Sequence, residues 1–194
     1  MVIVGLTGGI GSGKTTIGKT FKSFGIPLYI ADDEAKALMN RSKVIKRKII
    51  ALFGECSYKE GKLNRPYLAS KIFNDKTLLA KMNAIVHPKV AAHFRHWLAK
   101  QEAPYIIKEV AIIFENNLQS QYDYIITVVA DKEVRIKRVI KRDNASTEKV
   151  EAIIKNQLSD KEKIKKSDFV IFNDDLDVAK KQAKDIHNSI LQKL

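Results

Sequence analysis

Residues 8–15 read Gly8-Gly9-Ile10-Gly11-Ser12-Gly13-Lys14-Thr15. This is G-x-x-x-x-G-K-T, a pattern whose chemistry is the gripping of a triphosphate. Glycines let a backbone wrap closely around an anion, and a turned loop aims its N–H groups at phosphate oxygens. A lysine in the seventh place reaches the β- and γ-phosphates, and the threonine after it offers a hydroxyl to Mg²⁺. The candidate triphosphate contacts are therefore Gly9, Ile10, Gly11, Ser12, Gly13, Lys14, Thr15 and Thr16. The competing dinucleotide pattern G-x-G-x-x-G fails, because from Gly9 and Gly11 its third glycine falls on Lys14.

Such a loop works only between a strand and a helix. The apolar run Val2-Ile3-Val4-Gly5-Leu6 supplies the strand, and residues 16–24 supply the helix, with Ile17, Phe21 and Phe24 on one side. Downstream, strand and helix alternate as a parallel sheet with helices on both faces requires. Strands are expected at 27–30, 105–110, 124–130 and 169–172. Helices are expected from Asp32-Asp33-Glu34 onward, at 44–53, 132–142, through most of 147–164, and at 176–194. Residues 57–101 break the alternation. They read as a turn at 58–62, a helix at 65–73 and a helix at 77–100 divided by Pro88. A helical insertion of this kind is either a substrate-binding subdomain or a decoration.

Other groups fall where phosphoryl transfer needs positioning, charge neutralisation and a base. Asp32 follows the second strand, so it either accepts a proton at the carboxyl edge of the sheet or caps its own helix; Asp33 competes for both roles. Arg138 and Arg142 stand four apart on one helix face, as a phosphate clamp or as surface charges. Glu109, ending a strand, suits a water-linked Mg²⁺ or a satisfied surface position. Asn173, ending the last strand, suits a nucleotide base or a turn.

Composition narrows the classes. The chain has 194 residues, 35 Lys/Arg against 22 Asp/Glu for a net charge of +13, and 45% hydrophobic residues. Residues 132–166 hold 12 Lys/Arg against 6 Asp/Glu without interleaved aromatics, which argues against a single-strand nucleic-acid surface. No apolar run approaches the ~20 residues of a membrane span, and the chain starts directly on a strand, so neither a membrane nor a signal peptide is expected. Cys56 is the only cysteine, which suits a reducing cytoplasm. His93 and His96 lack neighbouring ligand types for a metal. There is no D-x-x-G and no N-K-x-D, which removes the GTPase class. A small-molecule kinase remains, with its acceptor held by the inserted helices.

The ordered motifs resemble those of the dephospho-CoA kinase family over nearly the whole chain. They are residues 5–15, Ala31-Asp32, Leu63-Asn64-Arg65 leading to Ile72-Phe73, His87-Pro88, Ile112-Ile113-Phe114-Glu115, Arg138 with Arg142-Asp143, and Asp168-Phe169-Val170-Ile171 running to Asn173. The resemblance implies an α/β P-loop fold of three layers: a five-stranded parallel sheet flanked by helices, an inserted helical substrate domain and a lid. The implied core is 1–56, 104–141 and 167–194, with the CoA-binding insertion at 57–103 and the lid at 142–166.

It also implies transfer of the γ-phosphoryl of ATP to the 3′-hydroxyl of dephospho-CoA, the final step of coenzyme A synthesis, with Mg²⁺. The enzyme would be cytoplasmic and a monomer or weak homo-oligomer, with no nucleic-acid or membrane partner. Carried over by position, Asp32 lies next to the 3′-hydroxyl. Thr7, Arg65, His87 and Glu115 join it in the acceptor pocket. Lys14, Thr15, Arg138 and Arg142 serve the phosphates and metal, and Asn173 the nucleotide. Three departures stand out. Ile30 replaces an acid two residues before Asp32, Ala111 replaces a proline, and Asp174-Asp175 follow Asn173 where the family has x-Gly.

Overall fold

The computed structural model describes residues 1–72 and 75–194. In chain order its elements are β1 (Val2–Thr7), α1 (Lys14–Ser23), β2 (Leu28–Ile30), α2 (Ala31–Arg41), α3 (Lys43–Phe53), β3 (Tyr58–Lys59), β4 (Lys62–Leu63), α4 (Arg65–Ile72) and α5 (Lys76–Leu98). The chain continues with β5 (Tyr105–Glu109), β6 (Tyr124–Val129), α6 (Lys132–Asp143), α7 (Thr147–Lys155), α8 (Asp160–Lys165), β7 (Phe169–Phe172) and α9 (Leu176–Leu191). Phe73, placed at the end of a helix and in a motif by sequence, lies outside the described residues.

Two compact units result: residues Met1–Ile30 with Glu102–Leu194, and residues Ala31–Gln101. The first carries a five-stranded parallel sheet in the order β2-β5-β1-β6-β7. Alternation within the strands explains how the sheet is buried. Val4, Leu6, Tyr105, Ile107, Ile126 and Val128 point to one face, where they meet Ile17 and Phe21 of α1 and Ala179, Ala183, Ile186 and Ile190 of α9. The opposite face presents Ile125, covered by Ile113, Phe114 and Leu158. Strand order reverses at β1, with β5 and β2 on one side and β6 and β7 on the other. The loop after β1 therefore begins at the switch point where open α/β sheets bind ligands.

The second unit is helical, with one small antiparallel hairpin, β3–β4. Leu38, Met39, Ile45, Ile49, Phe53, Leu68 and Val86 form its core. It spans Ala31–Gln101, because the apolar faces of α2 and α3 pack with α4 and α5 in one core. Side-chain caps start three of its helices: Ser42 accepts from the Ile45 N–H, Asn64 from the Tyr67 N–H, and Asp75 from the Leu78 N–H.

Pro88 does not divide α5, which runs through it unbroken. Val86 is buried just before the proline and Val90 packs on the same core just after it. That packing outweighs the hydrogen bond proline removes. Pro88 itself is exposed. Pro88→Ala restores an N–H for the Ala84 carbonyl and is expected to stabilise the helical unit by about 1–3 kcal/mol. Thermal unfolding of the two proteins side by side checks this.

The segment expected to be largely helical is so, as two helices, α7 and α8. Ser159 starts the second with a capping box: its hydroxyl accepts from the Glu162 N–H, and the Glu162 carboxylate accepts from the Ser159 N–H.

Candidate active site

In the sheet-bearing unit, β1 ends at Thr7 and residues 8–13 turn into α1. Gly11 and Gly13 hold φ of 79° and 90°, the left-handed region. Space is as tight as the dihedrals. A Cβ on Gly13 would strike the Asn173 amide, and one on Gly11 would lie 2.5 Å from the Arg135 carbonyl oxygen. Gly13 is the residue that starts α1 and has no side chain to accept the first-turn N–H groups. Those donors and the helix dipole favour an anion there. Lys14 Nζ donates to the carbonyls of Gly8 (2.8 Å) and Gly9 (3.1 Å), so the ammonium is held across the mouth of the loop.

Thr15, in the first turn of α1, donates its hydroxyl to Glu109 Oε1 at 2.9 Å. Glu109 ends β5, is 7% exposed, and pairs in register with Leu6 of β1 and Ile30 of β2. The sheet thus delivers a carboxylate to the hydroxyl expected to meet a metal. Among the described residues, no cluster of three or more His, Cys, Asp or Glu could hold a metal ion.

Several expected contacts are engaged elsewhere. Thr7 is fully buried and donates its hydroxyl to the Ala111 carbonyl (3.2 Å), which makes it part of the scaffold at the end of β1. Asn173 is 2% exposed and donates its amide to the Ser12 carbonyl at 2.7 Å. That bond braces the loop. Glu115 accepts from the Leu158 N–H (3.2 Å) and pairs with the fully buried Lys163 (2.7 Å), tying the loop after β5 to α8.

Arg138 and Arg142 have different partners. Arg138 is half-buried and directs Nη2 at the Asp174 carbonyl, 3.5 Å away. Arg142 forks onto both oxygens of its neighbour Asp143 at 2.8 Å, in the open. The hydrogen bonds of that pair push the arginine pKa up and the Asp143 carboxyl down. Ser12 is buried with a hydroxyl that makes no hydrogen bond among the described residues, and Thr16 is exposed.

Two residues that sequence reasoning passed over touch the loop, and a third, Asp160, pairs with one of them. Arg135 of α6, 5% exposed, donates from Nε to the Ile10 carbonyl (2.9 Å) and from Nη1 to Asp160 (2.7 Å). Gln157 accepts from the Ile10 N–H at 2.8 Å. A signal for Arg135 did exist: it is four residues before the buried Val139, on the apolar stripe of α6. A charge on such a stripe demands a buried partner.

In the helical unit, Asp32 lies in the first turn of α2 with Asp33 and Glu34, and it is exposed. Asp33 pairs with Lys36 (3.1 Å) and Glu34 with Arg41 (3.2 Å). Arg65 opens α4, and His87 precedes Pro88 on α5; both are exposed.

A five-stranded parallel sheet, a glycine loop at its switch point, and Lys14 and Thr15 opening the following helix define a P-loop phosphotransferase. Comparison with known proteins narrows the class. The dephospho-CoA kinase family profile matches residues 2–178. A dephospho-CoA kinase from Bacteroides fragilis is 40% identical over 172 residues, covering 88% of this chain and 84% of that one. A crystal structure from Thermus thermophilus superposes with a TM-score of 0.88 at 30% identity, over 100% of this chain and 97% of that one. The dephospho-CoA kinase from Campylobacter jejuni superposes with a TM-score of 0.70 at 25% identity, over 97% and 96% of the two chains. The chain belongs to the dephospho-CoA kinase family.

Proposed function

We propose that this chain transfers the γ-phosphoryl of ATP to the ribose 3′-hydroxyl of dephospho-CoA, giving CoA and ADP, and that its residues divide the work as follows. The 3′-oxygen forms a bond to the γ-phosphorus as the bond between that phosphorus and the β–γ bridging oxygen breaks. The hydroxyl proton passes to Asp32, and the electron pair of the broken bond leaves on ADP. Lys14 and those amides of residues 9–16 that are not paired within the protein hold the triphosphate, and Arg138 and Arg142 neutralise its charge. Arg142 can do so only after exchanging Asp143 for phosphate, which its exposure permits. Arg65 and His87 hold the acceptor from the helical unit, residues 142–166 act as the lid, and Thr7 and Glu115 serve by fixing the loops after β1 and β5.

The residues present fit Mg²⁺. The Thr15 hydroxyl and Glu109 carboxylate are adjacent hard oxygens, and this ion characteristically takes one or two protein oxygens beside substrate phosphates. Bound there, the ion supplies positive charge against the β- and γ-phosphates. Glu109→Gln is expected to raise the Mg²⁺ concentration needed for half-maximal rate about tenfold, read from Mg²⁺ titrations at fixed ATP. Among the described residues, no helix is long and apolar enough to cross a membrane. A cytoplasmic enzyme, monomeric or weakly self-associating, completes the reading, supported by a lone exposed cysteine.

The observation that carries this proposal is the Lys14-Thr15-Glu109 arrangement in a chain of this family. The test is a product assay with ATP, Mg²⁺ and dephospho-CoA. Mass and fragmentation should place one new phosphate on the ribose 3′-oxygen. Turnover of a nucleoside monophosphate in its place would assign the chain to another metabolite kinase.

A further inference from the structure

We infer that Arg135 is a positioning residue for the triphosphate loop and that Asp160 of α8 holds it in place. The inference rests on the proposed use of ATP. Both polar backbone atoms of Ile10, at the crown of the loop, are taken by side chains from beyond β6: its carbonyl by Arg135 Nε (2.9 Å), its N–H by Gln157 Oε1 (2.8 Å). The same guanidinium lies where a side chain on Gly9 would have to go, and the backbone of Arg135 closes off Gly11. The loop is therefore shaped around this one arginine.

A guanidinium stays charged at any working pH, so one that is 5% exposed requires a counter-charge. Asp160 supplies it at 2.7 Å. Asp160 opens α8, and α8 is itself anchored by the buried Lys163 on Glu115 at 2.7 Å. The loop is thus referenced, through Arg135, to the segment proposed as the lid. Asn173 provides a separate brace at Ser12, so losing the Arg135 contact tilts one side of the loop without dissolving it.

Asp160 is the place to test this, because its side chain is 27% exposed and tolerates change better than Arg135. In purified full-length protein, initial rates of ADP formation are measured with ATP varied at saturating dephospho-CoA, and the reverse. Asp160→Asn is expected to raise the KM for ATP about five- to twentyfold and to leave the KM for dephospho-CoA within about twofold. Asp160→Glu, which keeps the charge, should recover most of the ATP affinity. Arg135→Lys keeps the charge but loses the fork, and it should behave like Asp160→Asn.

A merely structural role predicts instead a lower melting temperature, a lower kcat in proportion to the active fraction, and both KM values unchanged. That outcome overturns the inference, as does an equal rise in both KM values. Failure of both Asp160→Asn and Arg135→Lys to fold would also overturn it, by making the pair a support of the fold. A wild-type enzyme inactive on dephospho-CoA would instead overturn the function proposed above.

Discussion

Lys14→Met is expected to lower kcat/KM by about a thousandfold while leaving the protein folded. The size follows from what the ammonium meets. Removing one preorganised charge or donor from a transferring or developing anion typically costs 10²–10³ in rate, and here a full positive charge goes from a group bearing several negative ones. The fold survives because the loop keeps other contacts when the Lys14 bonds to the Gly8 and Gly9 carbonyls are lost. The Ile10 carbonyl is held by Arg135, the Ser12 carbonyl by Asn173, and Gly11 and Gly13 sit in their left-handed conformations regardless. Met matches the aliphatic stem, so it opens no cavity. Circular dichroism and melting temperature should match the wild type, while initial rates separate the two. A folded variant that keeps more than a tenth of the wild-type kcat/KM would remove Lys14 from the transferring phosphate.

The sequence displayed the loop and the sheet more clearly than the surroundings of the loop, and for a physical reason. A phosphate grip needs glycine at particular places, and a central parallel strand needs an unbroken apolar run, so both leave a local signature. Tyr124–Val129 is such a run and is β6. What a helix packs against leaves no local signature. The apolar faces of α2 and α3 are visible in their spacing, but nothing in that spacing says they join Leu68 and Val86 rather than the sheet. Pro88 was weighed by its own chemistry, whereas its fate was decided by Val86 and Val90 on either side.

The site divides in the same way. Lys14 and Thr15 are recognisable because the motif fixes their place one and two residues past the last glycine. Arg135 and Gln157 reach the loop from over a hundred residues away in sequence, Asp160 holds Arg135 there, and a single sequence carries no trace of that meeting. Asn173 was singled out for its position at the end of β7. The structure confirms that end as close to the loop, but spends the amide on Ser12. Position was legible; partner was not.

Asp32→Asn is expected to lower kcat by about 10²–10⁴-fold with the KM for ATP changed less than about threefold. Chain connectivity supports the assignment. Ile30 pairs in register with Glu109, whose carboxylate receives the Thr15 hydroxyl, and Asp32 follows Ile30 by two residues. Asn is nearly the same size and can still accept a hydrogen bond, so the substitution removes the negative charge and the proton-accepting oxygen and little else. Asp33 and Glu34 remain in the first turn of α2 and keep its favourable charge, so the helix should not fray. Asp33→Asn is the matching control. Asp33 is already paired with Lys36 at 3.1 Å, and losing that exposed contact should leave kcat within about twofold. If Asp33→Asn proves the crippled variant and Asp32→Asn the active one, the proton goes to the neighbour. A pH–rate profile then separates a base from a positioning group. A base gives wild-type kcat an acidic limb that Asp32→Asn loses, whereas a carboxylate that only orients the hydroxyl leaves the limb in place and lowers the whole curve.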